Sequence, residues 1–272
     1  MAIFHCTTKP IARSAGRSSV AAAAYRSGSE LVDQRTGLIH DYTRRAGVES
    51  AEILMPDGGT ADRAELWNAA EAAEKRKDSR TAREWIVGLP AELGEAGRKE
   101  LARDFARELA ERYRVAVDVA IHRPDQEGDQ RNHHAHILMT TREVSRGADG
   151  IELGNKTALE LGDKDRAKAG IEGRSAHDIE HFRERWADLA NRALEREGRD
   201  ERIDHRSLAA QGIDREATTH LGPVATDMER RGKASDRGDN NRQVAANNVE
   251  RERISAQIFD LAAERERRRP VE

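Results

Sequence analysis

Residues 114–142 read RVAVDVAIHRPDQEGDQRNHHAHILMTTR, two runs of β-strand character on either side of a polar connection. From residue 115 to residue 121, valine and isoleucine alternate with alanine and aspartate, which is the period of a β-strand with one face in a core. A second alternating run covers residues 134–141. The polar connection between the two runs contains proline and glycine, so the runs are predicted to pair as an antiparallel hairpin through residues 123–133.

Three histidines are expected to meet on the face of this hairpin that lacks the aliphatic side chains. His122 ends the first run, while His134 and His136 lie two apart on the second run and therefore share a face. Because antiparallel neighbours lie about 5 Å apart, the three imidazoles should converge. His133 has the opposite parity and should point away.

Three converging imidazoles can bind one divalent metal ion and leave positions open for substrate or water. A single His–X–His pair would also fit the polar outer face of an antiparallel sheet. The third histidine, at the end of the partner strand, favours the metal site. The geometry by itself does not choose the reaction.

Composition limits the fold and the compartment. The 272 residues are 36% charged, 4% aromatic and 37% hydrophobic, which is enough for one core surrounded by solvated helices. The single cysteine, Cys6, excludes a disulfide framework and fits a reducing cytoplasm. The sequence has no signal peptide and no apolar run of about 18 residues, so no membrane insertion is expected.

Charge is distributed unevenly along the chain. The formal net charge is −3, which does not indicate a nucleic-acid binder. Residues 1–50, however, hold seven lysines and arginines against four acids, which predicts a local basic surface.

Hydrophobic periodicity predicts the remaining elements. The predicted strands are residues 2–6, two short strands within 36–55 that pair with each other, and 82–90. The predicted helices are residues 20–26 with a serine cap, 61–76, 93–113 and 177–196. Residues 143–170 are predicted to be a polar, mobile excursion. The result is an α+β fold: an antiparallel sheet with helices packed on one face and a metal site on the other.

Two further residues could belong to the site. Tyr25 follows four alanines at the end of the first predicted helix, where it is either a packing residue with its hydroxyl in solvent or a nucleophile. Glu84 lies on the sheet face opposite Trp85 and Val87, where the histidines are expected. It is either a surface glutamate or a residue close to the metal.

Three runs resemble the MobA/MobL relaxases, the plasmid-mobilisation nickases of the HUH endonuclease class, some of which begin larger TraA-type transfer proteins. These runs are AIFHCTTKPIARSAGRSSVAAAAYRSG at residues 2–28, HRPDQEGDQRNHHAHILMTTR at 122–142, and DHRS followed by HLG. The resemblance covers residues 1–222 and implies a relaxase domain built on an antiparallel palm. Residues 223–272 are then a charged helical extension or linker.

The resemblance also implies roles for individual residues. Tyr25 matches the catalytic tyrosine, and His122, His134 and His136 match the metal triad. Glu84 falls near an acidic position beside the metal. Further residues are candidates by charge: Asp125 to orient a histidine, and, for DNA binding, Arg13, Arg17, Arg26, Arg44 and Arg142.

The implied reaction is a metal-dependent transesterification of single-stranded DNA at a plasmid origin of transfer, with a 5′-phosphotyrosyl intermediate. The implied metal is Mg²⁺ or Mn²⁺, and an all-histidine site would also take up Zn²⁺ or Ni²⁺ during purification. The implied partners are accessory relaxosome proteins and the coupling protein of a type IV secretion system. The implied location is the bacterial cytoplasm, with carriage into the recipient cell.

Three alternatives remain open at this point. A replication initiator of the same HUH class would use the same chemistry at a different origin. A non-enzymatic DNA- or partner-binding module would use the histidines for a structural metal. A metallo-hydrolase of small phosphoesters would leave Tyr25 without a role.

Overall fold

A five-stranded antiparallel sheet is the centre of the fold. The computed structural model describes residues 3–125, 129–148 and 150–267. The strands are β1 (Cys6–Ala12), β2 (Glu30–Asp33), β3 (Leu38–Asp41), β4 (Val48–Leu54), β5 (Arg80–Gly88), β6 (Val117–His122), β7 (His134–Thr140), β8 (Arg142–Gly147) and β9 (Gly150–Lys156). The helices are α1 (Ser19–Ser27), α2 (Arg63–Ala72), α3 (Glu95–Tyr113), α4 (Asp163–Lys168), α5 (Ser175–Arg196), α6 (Gly222–Arg230) and α7 (Asp236–Arg267).

The chain divides into two compact units, Met1–His205 and Arg206–Glu272. The first unit contains all nine strands and α1 to α5, and the second contains α6 and α7. The division between residues 222 and 223 that the sequence suggests stays a prediction. Along the described parts of the chain, no helix combines the length and the apolar character that crossing a bilayer requires.

The main sheet has the strand order β1-β5-β7-β6-β4. Its centre is the predicted hairpin, in which β6 and β7 pair antiparallel with His122 opposite His134 and Ala120 opposite His136. The alternation in residues 115–121 and 134–141 therefore predicted both the strands and their register. Residues 126–128 of the connection lie outside the described residues.

One face of the sheet is covered by α3 and α5. Trp85 from β5, Phe105 from α3 and Trp186 from α5 are fully buried at this interface. The ring centroids of Phe105 and Trp186 are 5.2 Å apart, and those of Trp85 and Phe105 are 5.9 Å apart, both in edge-to-face arrangements. This aromatic cluster is part of the main core, between the sheet and the helices predicted at residues 93–113 and 177–196.

The opposite face carries the histidines, as expected, and the structure adds a second layer beside them. Helices α1 and α2 cover the part of this face around Leu138, which is buried together with Val20, Leu66 and Trp67. Leu138 has the same parity along β7 as His134 and His136, so this face changes from aliphatic to histidine within one strand. The last turn of α1 therefore ends next to the histidines.

The first strand differs from the sequence prediction, which placed it at residues 2–6. The structure places β1 at Cys6–Ala12, with Pro10 opposite Arg83 of β5. Because β1 is an edge strand, it pairs on one side only. A proline can lie there without removing a hydrogen bond from the sheet.

Two other predictions were wrong. The short strands within residues 36–55 do not pair with each other: β3 pairs with β2, and β4 joins the main sheet beside β6. Residues 143–170, expected to be a mobile excursion, form the β8–β9 hairpin and α4. Arg166 of α4 is buried and its guanidinium lies 2.9 Å from Asp178, which ties this segment to α5.

Candidate metal centre and tyrosine site

Three imidazoles converge on the uncovered part of the sheet. His122, His134 and His136 each offer one ring nitrogen, and these three atoms lie within 4.8 Å of one another. Their ring centroids are 4.7 to 5.4 Å apart. Among the described residues, the cluster contains His134 and leaves out His133, as strand parity predicted.

In two of these rings, one nitrogen lies within hydrogen-bond distance of a backbone carbonyl oxygen. Nε2 of His122 lies 2.7 Å from the carbonyl oxygen of Arg26, and Nδ1 of His134 lies 3.0 Å from the carbonyl oxygen of Asn132. In the neutral tautomers that donate to these oxygens, Nδ1 of His122 and Nε2 of His134 keep a lone pair. Metal-binding histidines in proteins are commonly oriented in this way.

Glu84 orients the third ring. Its carboxylate oxygen Oε1 accepts a hydrogen bond from Nδ1 of His136 at 2.7 Å, which leaves Nε2 of His136 available as a ligand. Glu84 lies on β5 and is fully buried. It is ion-paired with Arg26 from α1, and Nζ of Lys9 lies 3.2 Å from its second oxygen. Of the two interpretations of Glu84, the structure favours the one close to the metal.

The protonation states of these groups suit a cation. Burial lowers the pKa of His122 to about 3, and burial also lowers the pKa values of His134 and His136, so the three rings are neutral near pH 7. Burial alone would raise the pKa of Glu84, but hydrogen bonds from His136 and Arg26 bring it below its ordinary value. Three neutral imidazoles backed by a carboxylate therefore fit a divalent metal ion.

Tyr25 lies beside this cluster. It belongs to the last turn of α1, whose first turn is capped by the side chain of Ser18, as the sequence predicted. The next residue, Arg26, supplies the carbonyl that contacts His122. The Tyr25 side chain is 43% exposed, and its ring packs edge-to-face on Tyr42 with the centroids 5.1 Å apart. The residue is therefore accessible from solvent.

Arg45 is the site residue that the sequence analysis missed. Its guanidinium carbon lies 3.6 Å from the centroid of the Tyr25 ring, and its Nη2 lies 3.4 Å from Nδ1 of His122. The residue predicted from the sequence to bind DNA was the neighbouring Arg44, which is exposed. The adjacent arginines were a signal for a basic turn. Which of them faces the site depends on the turn after Tyr42, where the amide of Arg45 donates to the Tyr42 carbonyl.

Three of the predicted DNA-binding arginines form ion pairs within the protein. Arg13 is ion-paired with Glu71 at 2.8 Å and also donates to three backbone carbonyls. Arg142 is ion-paired with Glu74 at 2.8 Å, and Arg26 is ion-paired with Glu84. These guanidiniums already have anionic partners, and their role in DNA binding stays a prediction.

Arg17 and Arg44 are exposed, and their role in DNA binding stays a prediction. Arg17 lines a cleft of about 510 Å³ together with other cationic side chains, among them Arg35, Lys75 and Lys77. Asp125 is exposed in the β6–β7 connection, where its backbone carbonyl accepts a hydrogen bond from Gln130 at 2.9 Å. Its role in orienting a histidine also stays a prediction.

Comparison with known proteins agrees with the resemblance noted in the sequence. The MobA/MobL family model matches residues 17–231. The mobilization protein MobL of Acidithiobacillus ferridurans is 49% identical over 252 residues, covering 85% of this chain and 65% of the relative. Mobilization protein A of Escherichia coli is 37% identical, covering 98% of this chain and 35% of the relative.

The conjugal transfer protein TraA of Rhizobium radiobacter is 33% identical over 88% of this chain and 22% of its own length. This chain therefore spans between about a fifth and two thirds of the length of these relatives. A solved structure described as "Molecular Basis of Vancomycin Resistance Transfer in Staphylococcus aureus" is 31% identical. It has a TM-score of 0.62 and covers 76% of this chain and 100% of its own.

Proposed function

Because the chain belongs to the MobA/MobL family, we propose that it is a relaxase that nicks one DNA strand at a plasmid origin of transfer. The observation that carries this proposal is the position of Tyr25 in the last turn of α1. The residue that follows it, Arg26, contacts His122 of the three-histidine cluster. A nucleophile and a metal centre within one site are what strand transfer to a protein side chain needs.

In the proposed reaction, the phenol oxygen of Tyr25 attacks the scissile phosphorus. A bond forms between phosphorus and the Tyr25 oxygen, and the bond between phosphorus and the 3′-oxygen breaks. The proton that the phenol loses is balanced by the proton that the 3′-oxygen gains. The products are a 5′-phosphotyrosyl protein and a free 3′-hydroxyl. A phenolate is a good leaving group, so the phosphodiester energy is kept and the strand can be rejoined.

A divalent ion held by the three imidazoles would stabilise the negative charge that develops on the phosphate oxygens. We propose Mg²⁺ or Mn²⁺ for this role in the cell; imidazole nitrogens also bind Zn²⁺ and Ni²⁺ well, so a purified sample can carry them. Glu84 keeps His136 in its ligating tautomer, and Arg26 holds Glu84 in place from α1. The ligand set is thereby linked to the helix that carries Tyr25.

The proposed substrate is a single strand or locally melted DNA, bound along exposed cations such as Arg17 and Arg44. The proposed partners are accessory proteins that assemble at the origin and the coupling protein of a type IV secretion system. The nick is then made in the bacterial cytoplasm, before the protein and its attached strand pass to a recipient cell.

A nicking assay tests the proposal. Supercoiled plasmids that carry a transfer origin, a replication origin or neither are incubated with the protein and Mn²⁺. Relaxation of the transfer-origin plasmid alone, stopped by chelation while the protein stays folded by circular dichroism, supports the proposal. Nicking of the replication-origin plasmid would identify an initiator instead. Unfolding on chelation, without nicking of any plasmid, would identify a structural metal.

A further inference from the structure

Arg45 contacts both Tyr25 and the histidine cluster. Its Nη1 donates to the backbone carbonyl of Tyr25, and its guanidinium carbon lies over the Tyr25 ring, 3.6 Å from the centroid. Its Nη2 lies 3.4 Å from Nδ1 of His122. One cationic group therefore contacts both the proposed nucleophile and a proposed metal ligand.

Among the described residues, the charge of Arg45 is not neutralised by a carboxylate. Arg26 is ion-paired with Glu84 and Arg13 with Glu71, but in the described parts of the chain no carboxylate forms an ion pair with Arg45. The side chain is half-buried, where an unpaired charge costs more than on the surface. A bound anion would offset this cost.

Metal binding would release one of the Arg45 donors. Nε2 of His122 is hydrogen-bonded to the carbonyl of Arg26, so Nδ1 is the nitrogen that can bind a metal. The single lone pair of Nδ1 cannot accept from Arg45 and bind an ion at the same time. The Nη2 group would then lose this acceptor and would be available to donate to an anion.

From these contacts we propose that Arg45 binds a non-bridging oxygen of the scissile phosphate, beside the three imidazoles that would hold a metal ion. The inference rests on the function proposed above and adds a residue to its site. A planar guanidinium suits this task because two of its N–H groups can contact one phosphate. Arg45 stays protonated throughout, and its hydrogen bonds strengthen as charge builds on the phosphate oxygens during attack by Tyr25.

The test needs a strand that the protein cleaves. Random-sequence single strands are incubated with the parent protein and Mn²⁺, strands that become covalently attached are recovered, and the 3′ end of the released product locates the scissile linkage. If no strand is captured, the proposed function fails and this inference fails with it. If strands are captured, the function stands and Arg45 is tested by itself.

Binding is then measured in the Tyr25→Phe background, where attack cannot occur. Two strands are compared, one with a phosphodiester and one with an uncharged methylphosphonate at the scissile linkage. We expect Arg45→Ala to weaken binding of the phosphodiester strand about tenfold and to leave binding of the methylphosphonate strand unchanged. An equal loss on both strands, or no loss on either, would overturn the inference.

Two further measurements separate phosphate binding from a structural role. With Tyr25 intact, we expect Arg45→Ala to slow single-turnover cleavage about a hundredfold, Arg45→Lys to recover part of the rate, and Arg103→Ala, on the far side of the sheet, to change nothing. In titration calorimetry with Mn²⁺ and no DNA, Arg45→Ala should bind the ion at least as tightly as the parent. Tenfold weaker Mn²⁺ binding would show that Arg45 shapes the histidine cluster instead.

Discussion

Nδ1 of His136 lies 2.7 Å from Oε1 of the fully buried Glu84, and this contact ties the histidine cluster to the rest of the fold. Glu84 is also ion-paired with Arg26, the residue that follows Tyr25. The carboxylate therefore connects a ligand on β7 with the end of α1. Changes at Glu84 should affect metal affinity without removing a ligand.

Glu84→Gln is expected to lower metal affinity about ten- to a hundredfold. The amide keeps the size of the side chain, but it loses the charge that orients His136 and pairs with Arg26. Titration calorimetry with Mn²⁺ measures the effect. The matched control is Glu52→Gln, which removes a surface ion pair with Arg103 and should leave affinity unchanged. Unaltered Mn²⁺ binding by Glu84→Gln would refute the orienting role.

Replacing His134 and His136 together by alanine is expected to remove both the bound metal and DNA cleavage. The two rings supply two of the three convergent nitrogens, and one imidazole cannot hold the ion. Metal content after loading with Mn²⁺ and gel filtration measures the loss, and circular dichroism checks the fold. The same metal content in the variant and the parent would mean that the ion binds elsewhere.

The residues of β6 and β7 show how far sequence can define such a site. Strand parity placed His122, His134 and His136 on one face, and the turn length made them neighbours, so the cluster followed from local rules. Arg45 did not follow, because a turn decides whether it or Arg44 faces the cluster. Which residues the side chain of a turn residue contacts depends on tertiary packing. No periodic pattern in the sequence encodes that packing.

The packing of α1 and α2 on the histidine face of the sheet could not be predicted from the sequence either. A helix at residues 61–76 was predicted, but the sheet face on which its Leu66 and Trp67 pack was not. Leu138 belongs to that layer although it alternates in phase with His134 and His136. A single face that is half core and half site has the same period as a uniform one, so periodicity cannot separate them.

The metal-free protein should lose stability in acid through His122. Burial lowers its pKa to about 3, whereas an unfolded histidine titrates near pH 6.5. Between these values the unfolded chain binds the proton and the folded chain does not, so the free energy of unfolding falls as the pH drops through this window. Urea denaturation at pH 7 and pH 5 should show a smaller decrease for His122→Asn than for the parent.

The control for this experiment is His177→Asn, because His177 is exposed on α5. The decrease in stability between pH 7 and pH 5 should be the same for this variant and the parent. An equal decrease for His122→Asn as well would show that His122 is accessible to protons in the folded chain.

Trp186→Ala is expected to lower the free energy of unfolding by about 3–5 kcal/mol, since it opens a cavity in the aromatic cluster. Trp186 is fully buried, with its ring centroid 5.2 Å from that of Phe105. Urea denaturation measures the change. Ile39→Ala, at a side chain that is 64% exposed, should stay within about 0.5 kcal/mol of the parent. A similar small effect of Trp186→Ala would contradict the assigned core.

Mass spectrometry of the protein–DNA adduct identifies the attacking tyrosine, on which the proposed function depends. After cleavage of a captured strand, nuclease trimming and trypsin digestion, we predict that the nucleotide remains on the peptide of residues 18–26, which contains Tyr25. The ring of Tyr42 lies only 5.1 Å away, measured between centroids, and falls in the separate peptide of residues 36–44. A nucleotide on that peptide would show that Tyr42, and not Tyr25, attacks the DNA strand.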